Sequence, residues 1–246
     1  TAMEVALDAR VYDTGLVCVM EVMGRNAGWL TAASALSNIH GQGVDLIYLP
    51  ETPFDMDKFL ADVKAVCDRN ENKCLVAVSE GIKFADGGYV GEFKASKTDL
   101  FGHAQLGGVG AILAGQIKEK LGIKTRAIEL NLMQRCASHL ASKVDVEEAF
   151  EAGRHAVLAA VSGQTDFMVA YERKAGDKYE IEYKLVPLSI CANTEKPVPK
   201  EWITENGTNV SKEFVDYALP LIQGEWNTPK EDGLPRFARL KKVLVK

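Results

Sequence analysis

Leu16-Val17-Cys18-Val19-Met20-Glu21-Val22-Met23-Gly24-Arg25-Asn26-Ala27-Gly28-Trp29 decides the fold. Leu16 to Met20 is an apolar run of strand length and composition, and Leu30 to Ile39, rich in Ala, Leu and Ser, reads as a helix. Gly24 and Arg25 then occupy a tight strand-to-helix turn, with Asn26 as the expected helix cap. In α/β proteins such turns lie at the carboxyl edge of the sheet, where ligands bind. Gly24 admits a ligand close to the backbone, the first N–H groups of the helix favour an anion, and the Arg25 guanidinium offers a planar fork of donors suited to phosphate. Residue types alone leave open a plain turn with Arg25 in a surface ion pair.

Outward from this stretch the chain alternates strand and helix. Leu46 to Leu49 is a short strand ended by Pro50. A helix capped by Asp55 runs to about Arg69, with Phe59, Leu60, Val63, Val66 and Cys67 at helical spacing, and Cys74 to Val78 is a third strand leading into Ser79-Glu80-Gly81. Such alternation predicts a parallel sheet with right-handed crossovers. Residues 86–108, broken by Gly87-Gly88, Gly91, Gly102 and Gly107-Gly108, read as an extended loop. Helix resumes from Gly110 to Leu121, stopped by Gly122, and Thr125 to Glu129 is a fourth strand. A helix capped by Asp145 follows, with Val146, Phe150, Gly153, Val157 and Val161 expected inward. Phe167 to Tyr171 and Tyr179 to Val186 form a candidate hairpin around Ala175-Gly176-Asp177. Pro187, Pro197 and Pro199 mark an irregular stretch before a short helix from Ser211 to Ile222, and the basic tail (Arg236, Arg239, Lys241, Lys242, Lys246) reads as a solvated end. At the start of the chain, Met3, Ala6, Leu7 and Val11 form one helical face with no cap before it, which reads as entry into the middle of an element and hence as a piece of a longer protein.

Composition is that of a globular protein: 246 residues, 47% hydrophobic and 26% charged. The net charge of −5, from 29 basic and 34 acidic residues, argues against nucleic acid as a partner but not against a small anion held by local positive charge. The five cysteines (Cys18, Cys67, Cys74, Cys136, Cys191) are odd in number and scattered, which gives neither a disulfide framework nor a structural zinc site. No apolar run reaches transmembrane length, and residues 1–10 show no basic segment leading into an apolar one, so the expectation is a cytoplasmic protein without membrane partners.

Glu21-Val22-Met23-Gly24-Arg25 followed by Ala27-Gly28-Trp29 resembles the sugar-phosphate motif of the phosphofructokinases. Asp99 to Gly110 (DLFGHAQLGGVG), Leu121-Gly122 and Thr125 to Arg135 (TRAIELNLMQR) follow in that family's order, in a form most similar to its pyrophosphate-dependent branch. The likeness runs from about Asp13 to Leu140, more weakly beyond. It implies a phosphofructokinase-like α/β substrate domain, a mainly parallel sheet flanked by helices, over 1–164, with a C-terminal extension over 165–246. It also implies a glycolytic phosphotransferase using fructose 6-phosphate and pyrophosphate (ATP in the other branch), with magnesium, as a homo-oligomer. Carried over residue by residue, Met23, Gly24 and Arg25 hold the sugar phosphate and Glu80 holds the sugar. Arg135 binds the phosphate within the subunit, and Arg126 reaches a neighbour's. Read without the resemblance, Glu80 is a cap or loop ion pair and both arginines are surface residues; Lys97 and His103 remain a loop lysine and a satisfied histidine.

Two positions depart from the family pattern: Leu132 replaces a common histidine and Leu16 an arginine. The family's Gly-Gly-Asp loop and Thr-Ile-Asp-x-Asp run, which supply donor, metal and base, do not occur in these 246 residues, nor does a Gly-x-x-x-x-Gly-Lys or Gly-x-Ser-x-Gly motif. The expectation is therefore an acceptor-binding portion, with catalytic residues and most magnesium contacts upstream; a noncatalytic sugar-phosphate module is the alternative.

Overall fold

The computed structural model describes residues 1–11, 13–91, 108–176 and 178–244. Expectations for Lys97, His103, most of the glycine-rich loop, Asp177 and Lys246 lie outside the described residues. The chain divides into two compact units, Thr1–Gln134 with Asn193–Leu219, and Arg135–Ala192 with Pro220–Lys246. This compactness boundary is drawn differently from the 1–164/165–246 division expected from sequence: residues 135–164 group with the second unit and 193–219 with the first.

The first unit holds a parallel sheet of β1 (Leu16–Val22), β2 (Leu46–Tyr48), β3 (Lys73–Ser79) and β4 (Thr125–Glu129) in the order β2-β3-β1-β4. Every residue of β1 is buried, as the unbroken apolar run requires of a strand covered on both faces. One face carries α1 (Ala2–Val11) and the connection after β1, which consists of α2 (Trp29–Ala32) and a 3-10 turn Ala33–Asn38. Leu16, Cys18, Met20 and Val22 pack there with Ala32, Leu36, Val210 and Phe214. The other face carries α3 (Met56–Arg69) and α4 (Val109–Leu121), whose Phe59, Val63, Val66, Leu113 and Ile117 pack on Val17, Val19, Val76 and Val78. The Asp55 side chain accepts from Lys58 N and caps α3, and Gly122 ends α4 in the left-handed region (φ 68°).

Three local expectations are corrected. The helix after the first turn is only four residues long, and its cap position is Gly28 rather than Asn26. In α1 the buried residues are Ala6 and Ala9, while Met3, Leu7 and Val11 are exposed. Small side chains let the helix axis approach the sheet, and the bulkier line turns outward. In the second unit, α5 (Lys143–Val161) has Ser142 at its cap position and Asp145 inside its first turn. Most of its expected inward line is exposed, with Phe150 at 70% and Val161 at 81%, while Val146 is half-buried. The helix instead turns its polar line to the antiparallel hairpin β5 (Phe167–Arg173) and β6 (Ile181–Pro187). Tyr179 Oη donates to Glu148 Oε2 at 3.0 Å, and the His155 ring stacks on Tyr183.

The second unit also contains α6 (Leu188–Cys191) and a short ribbon of β7 (Lys230–Glu231) and β8 (Leu234–Pro235). Residues 221–228 tie to its α5 side: Lys143 N donates to Gly224 O at 3.0 Å and Thr228 Oγ1 to Ser138 O at 2.8 Å. In the first unit, α7 (Lys212–Ala218) and the stretch before it pack on the α1 face. Among the described residues no helix is long and apolar enough to cross a membrane.

Candidate functional site

β1 and β3 are adjacent and parallel, yet their chains leave to opposite faces: β1 leads to the α1 side, β3 to the α3–α4 side. Neighbouring strands that part in this way open a crevice at their carboxyl ends, the usual ligand position of an open α/β sheet. Met23-Gly24-Arg25 leaves β1 at that point and Glu80-Gly81 leaves β3 beside it.

The two turns are joined by specific contacts. Glu80 N donates to Val22 O at 3.0 Å, and Gly24 N donates to Glu80 Oε1 at 3.3 Å. Ser79 Oγ donates to Gly24 O, and Met23 N to Gln134 Oε1 at 3.1 Å. Gly24 sits at φ 155°, and a Cβ there would lie 2.8 Å from Ala27 O. Gly81 is needed for space: a Cβ would lie 1.7 Å from Arg25 O, inside covalent-like range, so only glycine lets the turns touch. Glu80 thus has one oxygen committed to the turn, and its second has no hydrogen-bond partner among the described residues. Arg25 is partly exposed and, among the described residues, makes no hydrogen bond or ion pair.

The amide at the helix cap position is committed to a protein side chain. Gly28 N donates to Glu51 Oε1 at 2.9 Å, and α2 is a single turn. Together with the Met23 and Gly24 bonds, this commits three of the turn's amides to protein acceptors, and the Arg25 guanidinium is the turn's cation.

Glu21 lies behind the turn. It is 6% exposed, and its Oε2 accepts from Gly110 N at 2.8 Å, at the start of α4. Burial pushes its carboxyl up from 4.5; the Gly110 amide opposes this, while Glu129 and Glu80 add to it.

Arg126 is the second residue of β4, paired with Cys18 and exposed. Four residues of parallel strand, about 13 Å, separate that register from Val22 at the carboxyl edge. The structure therefore brings together Met23, Gly24, Arg25 and Glu80, and sets Arg126 apart on an edge strand. Arg135 is exposed, ends the 3-10 turn Asn131–Arg135, and belongs to the second unit. Ser79, Gly81, Gln134, Glu51 and Glu21 are participants that the sequence reading gave no role. Gly81 beside Glu80 was the one signal available, since a glycine after a strand often marks a close backbone approach.

The phosphofructokinase family pattern matches residues 5–160. The chain belongs to the phosphofructokinase family. It is 41% identical over 231 residues to pyrophosphate–fructose 6-phosphate 1-phosphotransferase of Halomonas elongata, covering 93% of this chain and 54% of that protein. With the protein of the same name from Methylococcus capsulatus it shares 39% identity over 245 residues, 98% of this chain and 58% of that one. The crystal structure of pyrophosphate-dependent phosphofructokinase from Nitrosospira multiformis superposes with a TM-score of 0.85 at 36% identity, over 100% of this chain and 58% of that chain. The present phosphofructokinase chain thus spans somewhat more than half the length of these relatives.

Proposed function

We propose that the chain is the acceptor-binding portion of a pyrophosphate-dependent phosphotransferase acting on fructose 6-phosphate. The observation that carries the reading is Arg25: a guanidinium without a protein partner among the described residues, on a turn at the carboxyl edge of the sheet, beside a half-committed carboxylate. In this reading Arg25 takes the 6-phosphate through charge-assisted hydrogen bonds. Glu80 accepts a sugar hydroxyl with its second oxygen, while its first keeps the turn in place. The sugar's 1-hydroxyl oxygen then bonds to a phosphorus of pyrophosphate, the bond from that phosphorus to the bridging oxygen breaks, and inorganic phosphate leaves with fructose 1,6-bisphosphate as the other product. The hydroxyl proton goes to a carboxylate base outside this chain's acceptor site.

Magnesium belongs to this chemistry, where it would offset charge on the transferring phosphoryl group. Among the described residues no three His, Cys, Asp or Glu side chains gather into a metal-binding set, and no step is assigned through the ion. The exposed Arg126 on edge strand β4 supports its reading as a residue that serves a neighbouring subunit of a homo-oligomer.

The test is Arg25→Ala in the full-length enzyme. Loss of a desolvated charge contact should weaken use of fructose 6-phosphate by about 2–4 kcal/mol in kcat/KM, with a much smaller effect on the donor's KM. An unchanged acceptor KM and kcat in a folded variant would return Arg25 to an ordinary surface arginine.

A further inference from the structure

We propose that Glu51 is a positioning residue, whose carboxylate clasps the turn at 26–29 to the returning segment at 195–198 and thereby sets where Arg25 meets its anion. The proposal rests on the sugar-phosphate reading of Arg25. Glu51 follows β2 and Pro50, off the strand itself. A single oxygen, Oε1, accepts from two backbone amides far apart in sequence, Gly28 N at 2.9 Å and Val198 N at 2.8 Å. The other oxygen is buried and has no hydrogen-bond partner among the described residues. Burying one carboxylate oxygen without a partner is costly, so the two amide bonds must hold the group firmly in place. Room for it is made by Gly28: a Cβ there would lie 2.8 Å from Glu51 Oε2 and 2.8 Å from Leu49 Cδ2. Gly28 has φ −91°, which any residue can adopt, so the glycine serves close packing against Glu51, Leu49 and Pro50 and not the backbone conformation.

The same four residues carry two further bridges. Asn26 Nδ2 donates to Glu195 Oε1, and Trp29 Nε1 donates to Lys196 O at 2.7 Å. Behind them the Trp29 ring packs against Trp202, Phe214 and Tyr217 at centroid distances of 6.2, 6.0 and 5.6 Å. The turn that presents Arg25 is therefore fixed from one side by β3 through Ser79 and Glu80, and from the other by a segment about 170 positions later in the chain. Glu51 is the only charged side chain among those described that bonds both the turn and the returning segment.

The experiment measures fructose 6-phosphate affinity of the full chain by calorimetry, well below each variant's melting temperature, beside amide hydrogen exchange at 26–29 and 195–198. Glu51→Ala should weaken binding about tenfold and speed exchange at Gly28 and Val198 together. Glu51→Gln keeps an oxygen at the Oε1 position and should stay within about threefold of wild type. Val63→Ala, in the core on the opposite face of the sheet, controls for lost stability and should leave affinity unchanged. A folded Glu51→Ala that binds as wild type, or a Val63→Ala equally impaired, overturns the proposal. Should wild type and Arg25→Ala bind fructose 6-phosphate equally poorly, it is the sugar-phosphate reading that fails. Exchange then decides the clasp: joint acceleration at Gly28 and Val198 in Glu51→Ala upholds it, and exchange unchanged at either amide overturns it.

Discussion

Glu21 carries a carboxylate on the side of β1 that otherwise presents Val17 and Val19 to an apolar layer. Its partners are the Gly110 and Gly108 amides at the start of α4; Glu129, opposite it in the β1–β4 register, and Glu80 face it as like charges. A carboxyl raised above its ordinary 4.5 by burial binds its proton more tightly in the folded state than in the unfolded. The stability this contributes is complete below 4.5 and is lost as pH rises through the raised value. Glu21→Gln keeps an acceptor for Gly110 N and removes the titration. Urea unfolding between about pH 4 and pH 8 should show wild type losing ground to Glu21→Gln as pH rises, then running parallel. A constant difference across that range would mean that Glu21 ionises in the fold as it does in water. At this scale the sequence was legible in placing Gly24-Arg25 and Glu80 on neighbouring turns, because each directly follows a strand that apolar runs make plain. It was silent on Glu21, Glu51 and Gln134, because a carboxylate or amide that bonds one specific amide 23 to 147 positions away leaves no local pattern.

Among the elements, α3 shows what periodicity can convey. Phe59, Val63, Val66 and Cys67 fall on one face, they are buried, and Asp55 caps the helix as expected. Asp55→Ala leaves Lys58 N without its acceptor and should cost about 1 kcal/mol, within a range of about 0.5–2, read by chemical denaturation. A change below a few tenths would mean that water replaces the cap without loss. By contrast, the pattern misled for α1 and α5. An apolar stripe marks the face that wants burial, but the face actually taken depends on what stands opposite. The sheet under α1 accepts only alanines closely, and the β5–β6 hairpin offers tyrosine hydroxyls and a ring that suit the polar line of α5. The four parallel strands were legible because β1 and β3 are buried on both faces and so are nearly continuous in apolar residues. Strand order was not, since the crossing of β4 to the far side of β1 is set by tertiary packing.

For the molecule as a whole, the proposed reading gives this chain the acceptor side, and the Gly-Gly-Asp and Thr-Ile-Asp-x-Asp patterns do not occur in its 246 residues. The isolated chain, given fructose 6-phosphate, magnesium and pyrophosphate, should therefore show no steady turnover. Rates in the ordinary kinase range, ~1–100 per second, would show that these residues suffice for phosphoryl transfer. The same assay with ATP extends the test to the other donor.

The first unit is closed by residues 193–219, which contribute Val198, Val210, Phe214 and Ala218 to the apolar layer over β1 and β3. During synthesis the sheet strands through β4 emerge before this segment, and the part of the layer that it covers stays open until residue 219 has cleared the ribosome. At ~5–20 residues per second, the 85 positions after Gln134 leave a window of about 4–17 seconds. Over that interval the part of the apolar layer that Val198, Val210, Phe214 and Ala218 later cover is open to solvent, a surface of the kind that chaperones hold.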